Sequence, residues 1–170
     1  TEKQGAVSAL AESRTPEAEK LLAGLMDSLI AGKLAPEVRL DVYEAAKKRP
    51  GLSGKIQQWM AALPKDDPLA TYRLSLAGGD AERGKKTFRE HAIAQCFKCH
   101  KCEGGDSLVG PDLTKIGASK DRDYLLEGIV TYLREAARFN PPPVEPEEVR
   151  AAIFDKTPES ILFRYCTEAL

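Results

Sequence analysis

The chain has 170 residues, with 25 basic and 26 acidic side chains, a formal net charge of −1 and 42% hydrophobic residues. That length holds one domain or two small ones, and the interspersed, nearly balanced charge offers no basic face for nucleic acid or an anionic membrane. No apolar run approaches the roughly 20 residues of a membrane-spanning helix. The polar start Thr1-Glu2-Lys3-Gln4 does not read as a secretory leader, so the expectation is a mature or trimmed chain.

Residues 1–78 read as all-helical. Thr15-Pro16 is a helix cap followed by proline at the first helical position. Leu21, Leu22, Leu25, Met26, Leu29 and Ile30 then recur at helical spacing, and Gly32 ends the run. Ala35-Pro36 starts a second helix with Val38, Val42, Ala45 and Ala46 on one side, broken at Pro50-Gly51. Ser53 is expected to cap a third helix carrying Ile56, Trp59, Met60 and Leu63, stopped at Pro64. Trp59, Met26 and Met60 are expected in the core. A turn over Pro64–Pro68 and a short helix with Leu69, Tyr72, Leu74 and Leu76 lead to Gly78-Gly79, the expected domain boundary.

Asp80 is expected to cap a helix over about 80–91, and Asp121 or Ser119 a longer one through Tyr124, Leu125, Ile129, Leu133 and Ala136. Residues 101–120 read as loop. Pro141-Pro142-Pro143 is expected to stop the long helix, with further helices starting near Pro146 and Pro158. No alternating run is long enough for a strand. The expected fold class is therefore all-α, in two parts: 1–78 and 79–170.

Between the two helices of the second part lies Cys96-Phe97-Lys98-Cys99-His100. C-x-x-C-H is the attachment pattern of c-type haem. Two thiols add across the two vinyl groups of one porphyrin edge, and the next histidine lies under the ring, where it can bind iron. Cys96 and Cys99 then carry one covalent haem, and His100 is its proximal ligand. Rival readings use the same residues. Cys96, Cys99, Cys102 and remote Cys166 have the spacing of a [4Fe–4S] cluster, although Thr167 stands where proline often follows. A zinc knuckle on Cys96, Cys99, His100 and Cys102 is sterically cramped, and a thioredoxin-like C-x-x-C would need a preceding strand. If haem takes two cysteines, the pairing of Cys102 and Cys166 stays open.

The flanking residues carry a resemblance. Gly84 and Phe88 precede the motif in G-x-x-x-F spacing, Gly104-Gly105 follow it, and Gly110-Pro111-Asp112-Leu113 come next. This order resembles the class I c-type cytochromes. The resemblance implies that the glycine and the aromatic pack the first helix against the last. It also implies that the Pro111 carbonyl accepts the free N–H of the His100 imidazole, orienting the ring and raising its basicity. Over residues 15 to 130, including Pro64–Leu69, Gly78–Gly84, Gln95–Lys101, Gly110–Gly117 and Asp121–Glu127, the chain is similar to the planctomycete-type haem-binding domain. That domain often follows a HEAT-like helical segment, which implies a HEAT-like hairpin module over 1–78 and a cytochrome c-like domain over 79–170. After about residue 133 the chain departs from the pattern.

The departure concerns the second axial ligand. The family places a methionine on a late loop, here about 140–147, but no methionine follows Met60. His91 is the candidate within the haem domain; Met60 or Met26 from the first part, a lysine, Cys166 or an open or water-bound position are the others. The functional expectation is a monohaem cytochrome carrying single electrons from a dehydrogenase to a cytochrome or oxidase acceptor. Its place would be the periplasm or another exported compartment, since haem attachment to this motif follows export. Lys85, Lys86, Arg89, Lys98 and Lys101 would form a docking rim for an acidic partner. The alternative is an open-site haem protein that binds small ligands or has peroxidase-like activity, with His91 and Arg89 or Arg122 on the distal side. A third reading is a scaffold whose helical module docks a partner.

Overall fold

The computed structural model describes residues 1–91, 96–103 and 109–139, the side chains of 133 and 135–139 excepted. Among these residues every regular element is helical and there is no strand, so the fold is all-α. The chain divides into two compact units between Gly78 and Gly79.

The first unit is built from α1 (Glu2–Glu12), α2 (Pro16–Ile30), α3 (Arg39–Lys47) and α4 (Ser53–Ala62). Single 3₁₀ turns lead into α3 and α4, and a further one spans Tyr72–Leu76. The caps follow from local chemistry. Thr1 and Gln4 form a reciprocal capping box on α1. The Thr15 hydroxyl accepts from the Ala18 N–H at 3.2 Å, ahead of Pro16 at the first helical position. Gly32 ends α2 at φ +70°, a left-handed conformation open to glycine, and the Lys33 N–H returns to the Ser28 carbonyl at 2.9 Å.

One apolar core holds this unit together. Leu22, Met26, Val42 and Ala46 are fully buried, and Val7, Leu29, Val38, Leu52, Trp59 and Leu74 close around them. The Tyr43 and Trp59 rings meet at 5.0 Å between centroids with a 52° tilt. Burying each such large side chain contributes about 1.5–3 kcal/mol.

Several expectations need correction. Leu21 is 57% exposed and Met60 is 39% exposed, so neither belongs to the core assigned from spacing. Each lies one step off its helix's buried stripe, where an apolar residue keeps the period but faces water. Ser53 does not cap α4. The preceding 3₁₀ turn Pro50–Leu52 runs straight into the helix, Leu52 holds the cap position and no side chain bonds there. The sequence pattern singles out no helix over 2–12, yet α1 is tied in by an interaction invisible to periodicity. Arg49, only 5% exposed, donates from its guanidinium to the carbonyls of Leu10 and Ala11, both at 3.0 Å, and of Ser13. These are carbonyls that the end of α1 leaves without helical partners. Arg49→Met is expected to lower stability by about 2–3 kcal/mol, because charged donors to buried carbonyls are lost together; urea unfolding followed by Trp59 fluorescence measures it.

The last residue of this unit is also fixed. Gly78 has φ +85°, and a side chain there would run into the Glu37 carbonyl. The Gln4 amide donates to the Gly78 carbonyl and, at 3.1 Å, to Asp41.

The second unit contains α5 (Ala81–Glu90), the single turn α6 (Cys96–Cys99) and α7 (Arg122–Phe139). Asp80 caps α5 by accepting from the Arg83 N–H at 2.9 Å. Asp121 does the same for α7, accepting from the Tyr124 N–H at 2.8 Å. Among the described side chains of α7, Leu126 and Val130 are buried and Leu125 and Ile129 half-buried, whereas Tyr124, expected on the apolar face, is exposed. Among its described residues the 101–120 segment holds one 3₁₀ turn, Ile116–Ala118. The side chains of Leu133 and Ala136, the proline stop at 141–143, the helices expected after it and Cys166 lie outside the described residues. No helix among the described residues is long and apolar enough to cross a membrane.

Candidate functional site

The one-turn helix α6 explains the motif's spacing. Residues three and four apart share a helix face, and the His100 N–H extends the turn by donating to the Cys96 carbonyl at 2.9 Å. Cys96, Cys99 and His100 are therefore grouped on one side and half-buried, while Phe97 and Lys98 face outward. Burial pushes the Cys96 thiol above its ordinary range, with the nearby Cys99 adding to the rise.

A second segment runs alongside the motif. The Gly110 N–H donates to the Cys99 carbonyl at 2.7 Å, and the Leu113 N–H to the Lys101 carbonyl at 2.8 Å. Between these two ties, His100 Nδ1 lies 3.0 Å from the Pro111 carbonyl oxygen. A carbonyl can only accept, so as a hydrogen bond this contact needs the proton on Nδ1, which in the neutral ring leaves Nε2 as the acceptor nitrogen. Glycine at 110 is a matter of space. A Cβ there would sit 2.7 Å from both the Cys99 oxygen and His100 Nδ1.

Phe88 anchors α5 behind the motif. It is 2% exposed and forms a small cluster with buried Cys102, flanked by Cys96, Leu113, Ile116 and Leu125. Gly84, one turn earlier on α5, is also buried. The Phe97 ring meets Phe88 edge-on at 6.5 Å, and the Arg89 guanidinium lies 5.9 Å from the Phe97 ring centre.

The basic residues around the motif do not form a uniform rim. Lys85 pairs with Glu103 at 2.6 Å, Lys86 approaches Glu90 at 3.9 Å, and Lys101 approaches Asp112 at 3.9 Å. The Asp112 carboxyl is held below the ordinary carboxylate range, first by the Thr114 hydroxyl, then by the Thr114 N–H. A depressed carboxylate adds stability at neutral pH that is lost as pH falls through its folded value.

His91 stands at the C-terminal cap of α5, half-buried, its N–H donating to the Thr87 carbonyl at 3.0 Å. Met26 is sealed in the core of the first unit. Among the described residues no three His, Cys, Asp or Glu side chains converge as a group able to hold a metal ion. Cys102 instead packs with Phe88.

The residues that periodicity and motif reading missed are Glu103 and Thr114. Asp-x-Thr at 112–114 is a local turn signal that could have pointed to the second of them.

Compared with protein-family models, with curated proteins and with solved structures, the chain matches none.

Proposed function

We propose that the chain is a monohaem c-type cytochrome that passes single electrons from a dehydrogenase to a downstream cytochrome or oxidase outside the cytoplasm. The observation that carries this reading is the His100 Nδ1–Pro111 carbonyl contact at 3.0 Å behind a C-x-x-C-H turn. It leaves Nε2 as the available ligand and fixes the ring's direction, as metal-bound histidines require. Cys96 and Cys99 would hold the haem by thioethers. When bound, haem c supplies a one-electron iron couple that needs no proton or group transfer. The chain's own part is to hold the imidazole, shield the iron and set its potential. Residues 1–78, read as a HEAT-like helical module, would present a docking face to the partner.

Replacing Cys96 and Cys99 together by serine is expected to abolish covalent attachment. The intact mass of the denatured, exported wild-type chain should exceed the polypeptide mass by one haem, and that of the double variant should not. Equal masses equal to the bare polypeptide would overturn the assignment.

A second reading is favoured by one observation: no methionine follows Met60 in these 170 residues, so residues 79–170 offer none as sixth ligand. An open sixth position would make the protein a small-ligand binder or a peroxidase-like enzyme. Carbon monoxide added to the reduced protein separates the two. Immediate spectral change means a vacant site, and resistance means a saturated one.

A further inference from the structure

We infer that Thr114 is a positioning residue for the axial histidine, acting through Asp112 and the Pro111 carbonyl; the inference rests on the haem reading above. The direction of a carbonyl is set by its whole peptide plane, here the Pro111–Asp112 peptide. That plane turns about ψ of Pro111 and φ of Asp112, neither of which the proline ring fixes. Its aspartate end is held by Thr114, whose N–H donates to Asp112 Oδ1 at 2.8 Å and whose hydroxyl donates to the same oxygen. The Thr114 hydroxyl oxygen in turn accepts from the Glu103 N–H at 3.3 Å. The Glu103 carboxylate is paired with Lys85 of α5 at 2.6 Å.

The two segments are thus tied on both sides of His100: Gly110 to Cys99 before it, Thr114 to Glu103 after it. An independent feature points to the second tie. Glu103 has φ +51°, the left-handed region that a non-glycine residue enters at a cost. Such a conformation persists where surrounding contacts hold it, and Thr114 and Lys85 are two such contacts here. Without the Thr114 hydroxyl, the Pro111–Asp112 plane can rotate and the Nδ1–H bond weakens.

The sign follows from charge. A firm bond from Nδ1–H to a carbonyl leaves more electron density on Nε2, which favours the more positive ferric iron. Loosening it favours the ferrous state. Thr114→Val is expected to shift the one-electron equilibrium toward the reduced form about threefold, a rise of about 28 mV at 59 mV per decade. The His100 Nδ1–H proton resonance in the ferrous protein should move upfield, as a weaker hydrogen bond requires. Thr114→Ser keeps the hydroxyl and should restore both.

The test uses the haem-loaded, full chain. If Thr114→Val does not accumulate folded, Thr114→Ala removes the same hydroxyl and answers the same question. A loaded variant with wild-type potential and wild-type resonance overturns the inference alone, as does a Thr114→Ser variant shifted as far as the valine. A wild-type chain with no covalent haem overturns the functional reading and this inference with it.

Discussion

If the chain carries haem as proposed, Gly110→Ala is expected to yield little haem-bearing protein. The added Cβ would stand 2.7 Å from the Cys99 carbonyl oxygen and 2.7 Å from His100 Nδ1. Neither neighbour is the loose end of a flexible chain. The first is backbone within the motif's own turn, and the second is a ring held by Pro111. Relief requires the 110–113 segment to back away, which breaks the Gly110–Cys99 bond and carries the Pro111 carbonyl off His100. Overpacking of this kind costs about 1–3 kcal/mol, and an imidazole partner lost from a metal site typically costs about 10–100-fold in affinity or activity. Haem per chain, from absorbance against protein concentration, should fall at least to a tenth of wild type. A variant loaded to the wild-type level would show that the close approach is not what glycine is there for.

Phe88→Ala is expected to unfold the second unit while leaving the first intact. Phe88 fills the centre of a small core whose other buried member is Cys102. Truncating a buried phenylalanine typically costs about 3–5 kcal/mol, a large part of the stability of a unit this small. The chain's one tryptophan, Trp59, is in the core of the first unit. Its fluorescence transition should keep its midpoint, while far-ultraviolet circular dichroism loses the contribution of α5 and α7. A matching shift in both signals would contradict the assignment of Phe88 to a separate core.

The features legible in the sequence were the local ones. Thr15, Asp80 and Asp121 cap their helices through side chains that reach three residues ahead, and such reach is written in the sequence. The grouping of Cys96, Cys99 and His100 is one helical turn and needs no tertiary information. Ser53 misled because a 3₁₀ turn can feed a helix directly, which removes the need for a capping side chain. The phase of α7 was ambiguous because Tyr124, Leu125, Leu126, Ile129 and Val130 place apolar residues around much of the helix. Packing selects Leu126 and Val130. Contacts between distant residues left no periodic trace. Arg49 on the end of α1 is of this kind, and so is Lys85 on Glu103. The Pro111–His100 contact was expected only through the family resemblance, since eleven residues separate the two.

The most direct measurement of the central claim is a pyridine haemochrome spectrum of the exported chain after extraction with acidified acetone. Covalent haem c stays with the protein and gives an α-band at shorter wavelength than free protohaem, because both vinyl groups have been consumed by Cys96 and Cys99. One such haem per chain is the predicted result. A colourless protein, or a brown one that releases sulfide on acidification and gives no haemochrome, would contradict the cytochrome account; the brown one would point to Cys96, Cys99, Cys102 and Cys166 as ligands of an iron–sulfur cluster.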